Sequence, residues 1–344
     1  TRLWPLSRTG QEKQFLPIGG TSFLVETFNR IKQAIPVSRI VVVTTQAQRD
    51  TVASQLGGEL PLENIFAEPL PKGTLAALLY TSVRLAKSDP EPVLVAFPSD
   101  QKISNVNAFI KTLGAGLKFL AKNKVFIAFG VKPSYPATNY GYITAGERQP
   151  SEIGNLFKIE VFVEKPKKEK AEQLISSGKS YWNSGIFAFR VRHLLETVKE
   201  ISPTHYESFI KIYESLGTRK EEEVTTSLYQ ALETLSFDTG VMEKTKDGVV
   251  VEAEFDWADV GAFDALEASL KDSGNNNRSE GDVIALDASN NVTFTDEGII
   301  AIIGLSNIVV VRSGNAVLVA DKRRSQEVKR LTENLKNQGF QHYL

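Results

Sequence analysis

Short apolar runs alternate with amphipathic stretches along the first part of the chain. Residues 39–45, 93–97 and 125–131 are rich in Val, Ile and Phe, and they predict buried strands. Helical periodicity precedes each run, at 23–34, 74–87 and 106–123, and Thr21 or Ser22 can cap the first helix. Near-continuous apolar strands that alternate with helices are typical of a parallel sheet covered on both faces. This predicts an α/β fold, with ligands at the carboxyl ends of the strands.

The pattern changes after the Gly274-Asn275-Asn276-Asn277 stretch. Short apolar runs at 283–286, 299–303 and 308–312 are separated by Gly, Asn and Ser turns, and a helix is predicted only at 325–337. This predicts a small C-terminal β domain, which could be a few coils of a β-helix. We therefore expect a catalytic domain over 1–274 and the β domain over 275–344.

Composition limits the chemistry. The 344 residues are 42% apolar and 24% charged, and the formal net charge is −1. A near-neutral chain argues against nucleic-acid and membrane-surface partners, which favour a basic excess. No cysteine is present and only three histidines, which excludes disulfides and thiolate chemistry and leaves carboxylates and cations as the candidate reactive groups. The absence of cysteine also suits a reducing cytoplasm, where we expect the protein to work.

The opening segment carries three cations within a Pro-broken loop. Arg2, Arg8 and Lys13 lie among Pro5 and Pro17, which exclude a regular helix. Guanidinium groups pair with phosphate oxygens bidentately and Lys adds a point charge, so such a loop can bind a polyphosphate. An ordinary solvated basic terminus is the alternative.

Two acidic positions are candidate metal ligands. Ser99 and Asp100 follow the second apolar run, and Asp259 lies in the segment Asp256-Trp257-Ala258-Asp259-Val260-Gly261. One carboxylate from each would suit a Mg²⁺ ion that keeps several waters and binds phosphates. The alternatives are a turn at Asp100 and a helix N-cap at Asp259.

Groups suited to a sugar phosphate lie between these positions. Glu164 and Lys165 follow the apolar run 161–163, where a carboxylate can accept from hydroxyls and an ammonium can meet a phosphate. Asn183 offers both a donor and an acceptor. Each alone is equally typical of a strand edge or a turn.

The chain resembles the sugar-phosphate nucleotidyltransferases, most closely the mannose-1-phosphate guanylyltransferase family. The resemblance is carried by the opening Thr-Arg-Leu-Trp-Pro-Leu-Ser-Arg, by Lys13-Gln14-Phe15, and by several downstream segments: 97–100, 140–143, 162–166, 182–187, 241–244 and 257–261. It continues into the β tail at 303–305 and 316–319. It implies a Rossmann-like, mixed but mostly parallel sheet with a β-helix-like C-terminal domain.

The chain departs from the family pattern at several positions. The family places a Gly-rich loop and an apolar strand before the residue that is Thr1 here. Glu12 stands where Pro is usual, Gln101 where His is frequent and Asn139 where Gly is frequent. The segment Pro69–Thr74 differs from the usual Gly-Arg-Asn-Thr motif of the family, and this leaves the selection of the nucleotide base less certain than the type of reaction.

The resemblance implies transfer of GMP from GTP to mannose 1-phosphate, with GDP-mannose and pyrophosphate as products and Mg²⁺ as cofactor. It implies catalytic roles for Arg2, Lys13 and Lys165, and metal binding by Asp100 and Asp259. Nucleotide contacts are implied for Glu68, Gly73, Thr74, Ser99 and Asp100, and sugar contacts for Gly141, Glu164 and Asn183. One alternative is a nucleotidyltransferase that uses another sugar 1-phosphate or another nucleotide. The other is a catalytically inactive homologue that senses GDP-mannose. The apolar β tail is a candidate homodimer contact.

Overall fold

The computed structural model describes residues 3–261, 263, 267 and 270–344. Its contacts divide the chain into two units, each built from separate pieces of sequence. The first unit comprises the described parts of 1–33, 99–102 and 258–344, and the second comprises 34–98 and 103–257. The boundary predicted at 274/275 stays a prediction, since the contacts group the C-terminal region with the opening segment.

Strands and helices of the described residues follow in chain order. The strands are β1 Pro17–Ile18, β2 Thr21–Ser22, β3 Val42–Thr45, β4 Ile65–Glu68, β5 Val93–Ala96, β6 Gln101–Lys102, β7 Phe126–Val131, β8 Tyr142–Gln149, β9 Leu156–Val163, β10 Ser180–Arg190, β11 Gly248–Glu252, β12 Ala258–Asp259, β13 Lys271–Asp272, β14 Arg278–Leu286, β15 Val292–Ile303, β16 Ile308–Ser313 and β17 Ala316–Asp321. The helices are α1 Phe23–Ile31, α2 Arg49–Gln55, α3 Thr74–Leu85, α4 Val106–Lys122, α5 Lys168–Ser176, α6 Val191–Ile201, α7 Pro203–Ser215, α8 Glu221–Ala231 and α9 Val328–Asn337.

The second unit is built on a six-stranded mixed sheet in the order β5-β10-β7-β11-β9-β8. The predicted strands β5 and β7 run in the same direction, but β10 lies between them and pairs antiparallel with both. Strand β11 is parallel to β7, whereas β8 and β9 form an antiparallel pair. The mixed α/β class is confirmed. The resemblance implied a mostly parallel sheet, but antiparallel ladders outnumber parallel ones here, because the long strand β10 lies between β5 and β7 and pairs antiparallel with both.

Helices cover this sheet with apolar faces. Helix α3 buries Leu75 and Leu79 completely, and they belong to the same cluster as Phe126 of β7 and Phe189 of β10. Burying each such side chain contributes about 1.5–3 kcal/mol. The predicted start of α3 at Thr74 is confirmed, and the preceding Gly73 has φ of +87°, a conformation that favours glycine. The sheet and α3 thus share one buried apolar cluster, from which the loops with polar residues extend.

The C-terminal part of the first unit is a coil of parallel strands. Strands β14, β15 and β16 pair in parallel, and β17 returns antiparallel to β16. Asparagines support the corners: the carboxamide Oδ1 of Asn277 accepts from the backbone N–H of Asn291, and Oδ1 of Asn291 accepts from that of Ile308, each at 3.0 Å. The predicted β-helix coils are confirmed, and the Asn-rich stretch contributes a corner of the coil.

The opening segment packs against this coil within the first unit. Trp4 and Phe23 share a buried cluster with Val292 and Val309, and the indole Nε1 of Trp4 donates to the carbonyl of Tyr343 at 2.7 Å. Ser22 caps α1, since its hydroxyl accepts from the backbone N–H of Val25. The predicted loop is therefore a buried anchor rather than a solvated terminus.

The coil also carries an outer apolar face, which is defined by exposed side chains on the paired strands β14 and β15. Ile303 is 71% exposed, Ile299 61% and Leu286 57%, Leu286 is the register partner of Ile303, and Ile284 extends the face. Exposed apolar patches of this kind mark interaction surfaces.

Among the described residues, no helix combines the length and apolarity that a bilayer crossing requires.

Candidate active site

In the first unit, one lysine lies between two aspartates. The Nζ atom of Lys13 is 3.0 Å from Oδ2 of Asp100 and 3.3 Å from Oδ1 of Asp259, and it lies 5.9 Å from the ring centroid of Phe23. The lysine side chain is 17% exposed, whereas the aspartates are 41% and 31% exposed. We call these three residues the lysine–aspartate cluster.

A short ladder brings the two aspartates together. Strand β6 pairs antiparallel with β12, so that Asp259 is opposite Gln101 and Asp100 immediately precedes that pair. Lys13 begins a 3₁₀ turn whose last residue, Phe15, is buried. The cluster thus rests on anchored backbone, although its members come from three separate stretches of the chain.

The donor set of this cluster fits a hard divalent cation. The two carboxylates already share one cation, the Lys13 ammonium, so both have oxygens directed toward a common point. Within the described ranges, no group of three or more His, Cys, Asp or Glu side chains gathers as a closed metal cage. Mg²⁺ is typically bound by one or two carboxylates, and waters and substrate phosphates fill the rest of its coordination shell.

The other cations of the opening loop have different positions. Arg8 donates from Nε to the carbonyl of Pro5 at 2.9 Å and from its guanidinium to Asn315 and the carbonyl of Ser313, so it ties the loop to the coil. Arg2 lies outside the described residues. Ser99 is half-buried in the turn that also contains Asp100. Of the cations that we considered for phosphate binding, Lys13 is the one that the described structure brings to the aspartates.

In the second unit, Gly141, Glu164 and Asn183 lie next to one another. A Cβ added to Gly141 would lie 2.6 Å from Oε2 of Glu164 and 3.2 Å from Cβ of Asn183. The carbonyl of Gly141 also accepts from the backbone N–H of Asn183 at 2.8 Å. We call these three residues the sugar cluster, after the role that the resemblance implies, and the short distances explain why position 141 carries no side chain.

Lys165 belongs to the edge of this cluster. Its Nζ is 2.7 Å from Oε1 of Glu164, and its side chain is 60% exposed. Its φ of +46° is uncommon for a residue with a side chain. An exposed ion pair of this kind contributes at most about 1 kcal/mol, so Lys165 can turn to another anion at small cost.

Sequence reasoning missed two residues that hold the sugar cluster. The Nδ2 of Asn183 donates to Oδ1 of Asp238 at 2.7 Å, and the backbone N–H of Glu164 donates to Oε1 of Glu243 at 2.9 Å. Burial, then the nearby Glu164 carboxylate, raise the pKa of Asp238 to about 6. Glu243 lies in a segment that carries the resemblance, but nothing in the pattern around Asp238 distinguishes it from an ordinary turn residue.

Three of the residues for which the resemblance implies nucleotide contacts, Glu68, Gly73 and Thr74, also make contacts within the fold. Glu68 is buried, its Oε1 accepts from the Tyr229 hydroxyl at 2.9 Å, and burial raises its pKa to about 7. A Cβ on Gly73 would meet the carbonyl oxygen of Leu235, and the Thr74 hydroxyl accepts from the backbone N–H of Phe237 at 2.8 Å. Gly73 and Thr74 therefore hold the segment that leads into Asp238.

A mixed α/β sheet followed by a parallel β coil, with a lysine between two aspartates and a carboxylate–amide cluster, defines the class of sugar-phosphate nucleotidyltransferases. Two family models match the chain: nucleotidyl transferase over residues 1–275, and the MannoseP isomerase/GMP-like beta-helix domain over residues 281–335. The chain belongs to the mannose-1-phosphate guanylyltransferase family, and it is a nucleotidyltransferase.

Individual relatives span most of the chain. The mannose-1-phosphate guanylyltransferase of Escherichia coli K12 is 32% identical over 348 residues, which cover 98% of this chain and 72% of the relative. That of Klebsiella pneumoniae is 33% identical over 347 residues, which cover 100% and 73%. A crystal structure from Thermus thermophilus, described as a mannose-1-phosphate geranyltransferase, superposes with a TM-score of 0.86 at 31% identity over 97% of this chain and 96% of that one.

Proposed function

We propose that the protein transfers GMP from GTP to mannose 1-phosphate and releases GDP-mannose and pyrophosphate. The observation that carries this proposal is the Lys13 ammonium held between Asp100 and Asp259. A cation beside two carboxylates suits a triphosphate that arrives with its own divalent metal. The relatives named above support the choice of mannose 1-phosphate and of guanine.

The reaction is an in-line displacement. A phosphate oxygen of mannose 1-phosphate attacks the α-phosphorus of GTP, and the bond from that phosphorus to the oxygen bridging to the β-phosphorus breaks as pyrophosphate leaves. No covalent enzyme intermediate is needed, so the protein acts by positioning and charge stabilisation. Lys13 stabilises the charge on the leaving pyrophosphate, and we assign Arg2 to the same triphosphate.

Asp100 and Asp259 are the residues that would hold Mg²⁺. When bound, the ion neutralises phosphate charge and aligns the phosphates. Before it binds, the Lys13 ammonium compensates the two carboxylates, which otherwise would repel each other.

The sugar cluster accounts for the second substrate. The Glu164 carboxylate accepts from ring hydroxyls, the Asn183 carboxamide supplies a donor, and Gly141 leaves room for the ring. Lys165 exchanges its ion pair with Glu164 for the phosphate of the sugar. Base contacts are assigned to Glu68, Gly73, Thr74 and Ser99, as the resemblance implies.

One assay tests the proposal. Pyrophosphate release is measured with Mg²⁺ over a grid of four NTPs and several sugar 1-phosphates, with Asp100→Asn as the inactive control. Highest kcat/KM for GTP with mannose 1-phosphate supports the proposal. Highest kcat/KM for another pair contradicts the substrate assignment, and no release with any pair, while GDP-mannose still binds, contradicts catalysis.

We further propose that the outer apolar face pairs two copies of the chain. Ile303, Ile299 and Leu286 expose large apolar side chains on two paired strands, which a second copy would cover. We expect light scattering to give the mass of a dimer and the Ile299→Lys/Ile303→Lys variant to give that of a monomer. A monomeric wild-type chain would contradict this assignment, and Leu62→Lys, at an exposed apolar residue of the other unit, is the matched control.

A further inference from the structure

We propose that Asp238 is a positioning residue of the sugar cluster, because its carboxylate orients the Asn183 carboxamide for contact with a hydroxyl of the sugar phosphate. The inference rests on the proposed function and deepens it. Asp238 lies outside the segments that carry the resemblance, and the resemblance implies no role for it.

The Asn183 carboxamide is held in one orientation by a hydrogen-bond donor on one side and an acceptor on the other. Its Oδ1 accepts from the backbone N–H of Gly185 at 3.0 Å, and its Nδ2 donates to Oδ1 of Asp238 at 2.7 Å. A backbone N–H can only donate and an ionised carboxylate can only accept, so a flipped carboxamide would lose both bonds. The amide has two N–H groups, and one of them is left for a ligand when the other binds Asp238.

The segment that carries Asp238 also supports Glu164. Asp238 is the first residue of a π-helical turn, Asp238–Met242, and the following Glu243 accepts from the backbone N–H of Glu164. π-helical turns are rare and occur frequently at functional sites. One short segment therefore contacts both polar members of the sugar cluster, and Thr74 fixes its start through the backbone N–H of Phe237.

The charges around Asp238 make the contact sensitive to pH. Burial raises the pKa of Asp238 most, and the nearby Glu164 carboxylate raises it further. The Asn183 amide and Lys165 lower it, but the sum is a pKa of about 6. Above that pH the carboxylate accepts from Asn183. Below it the carboxyl is neutral, so the Asn183 amide loses a charged acceptor and the N–H of Gly185 alone favours its orientation.

The first test needs no substrate. In ¹⁵N-labelled protein, the Asn183 side-chain amide is assigned from its loss in Asn183→Ser, and its signal is followed from pH 5 to pH 8. We expect a transition near pH 6 that disappears in Asp238→Asn and persists in Asp50→Asn, an exposed aspartate on α2. A wild-type amide that does not titrate would overturn the proposal.

The second test is kinetic. A hydrogen bond to a charged group corresponds to roughly a 10- to 100-fold effect, so we expect Asp238→Ala to raise the KM for mannose 1-phosphate by at least about tenfold with the KM for GTP unchanged. Asp238→Asn, which offers a neutral acceptor in place of a charged one, should restore only part of the affinity at pH 8. Equal increases in both KM values would indicate a merely structural role and would overturn the proposal.

The pH dependence separates the contribution of the enzyme from that of the substrate. The second ionisation of a phosphate monoester also lies near pH 6, but it is common to all variants. The ratio of KM values between Asp238→Asn and wild type should therefore change through pH 6, and a constant ratio would contradict the inference. If the wild type turns over no sugar phosphate, the proposed function fails, whereas the amide titration still decides the role of Asp238.

Discussion

The two units use carboxylates in different settings. In the lysine–aspartate cluster, Asp100 and Asp259 are partly exposed and share one ammonium. Around the sugar cluster, Asp238 is desolvated beside a second carboxylate, and in the same unit Glu68 is buried against a tyrosine hydroxyl. Exposed, cation-compensated carboxylates suit a charged ligand, whereas desolvated ones suit neutral hydroxyl groups. The residue type alone does not distinguish these tasks, but the environment does.

The largest expected effect lies in the lysine–aspartate cluster. We expect Lys13→Met and Asp259→Asn each to lower turnover by about 10²–10³-fold, because each removes a group that stabilises developing charge. Pyrophosphate release measures the loss, and circular dichroism checks that the fold is kept. Near-wild-type turnover in either variant would remove that residue from the mechanism.

The second effect concerns the buried carboxyl of Glu68. Its pKa rises from 4.5 to about 7 on folding, so the folded state binds more protons than the unfolded state between these values. Stability from this group is therefore present below about pH 4.5 and is lost as pH rises through 7, by roughly 3 kcal/mol. Urea unfolding at pH 5 and pH 7.5 should show this loss in the wild type relative to Glu68→Gln. The same pH slope in both proteins would contradict the buried, protonated state of Glu68.

A smaller effect is expected at Gly141. The methyl group of Gly141→Ala would displace the flexible end of Glu164, so the KM for mannose 1-phosphate should rise about tenfold. Stability should change little, because a side-chain end can move more easily than backbone. Gly114→Ala is the control, since a Cβ there has no neighbour within 4 Å. An unchanged KM in Gly141→Ala would exclude Glu164 from sugar binding.

The smallest effect sharpens the contrast between function and stability. Asp259→Asn should alter the free energy of unfolding by less than about 1 kcal/mol, since partly exposed ion pairs contribute little. Urea unfolding of the metal-free protein measures it. A loss of several kcal/mol would show that the cluster is a structural ion pair, and the low turnover of this variant would then need another explanation.

Local pattern was sufficient for much of the fold. The strand β3, the cap at Ser22, the start of α3 at Thr74 and the coils of the β domain follow from β-branched runs, capping residues and Asn or Gly turns. Strand order did not follow. The insertion of β10 between β5 and β7 depends on long-range pairing that period-two patterns do not encode.

For the candidate site, the motif resemblance implied roles for Lys13, Asp100, Asp259, Gly141, Glu164 and Asn183, and the structure places them in two separate clusters. It implied metal binding for Asp259 and no role for Asp256, although both lie in one motif. Asp256 accepts from the backbone N–H groups of Ser104 and Asn105 at the start of α4, whereas Asp259 meets Lys13.

The sequence by itself determined the element types, the residue chemistry and the family, because these depend on local periodicity and on motifs that the chain carries in continuous stretches. Only the tertiary structure decided which charges meet. The ladder between β6 and β12 pairs Asp259 with Gln101 and so brings the neighbouring Asp100 to the same lysine, Lys13, and the π-helical turn places Asp238 against Asn183. The physical reason is that the charge state of a carboxylate, and hence what it can bind, depends on its distance to other charges and on its access to water. Folding determines both.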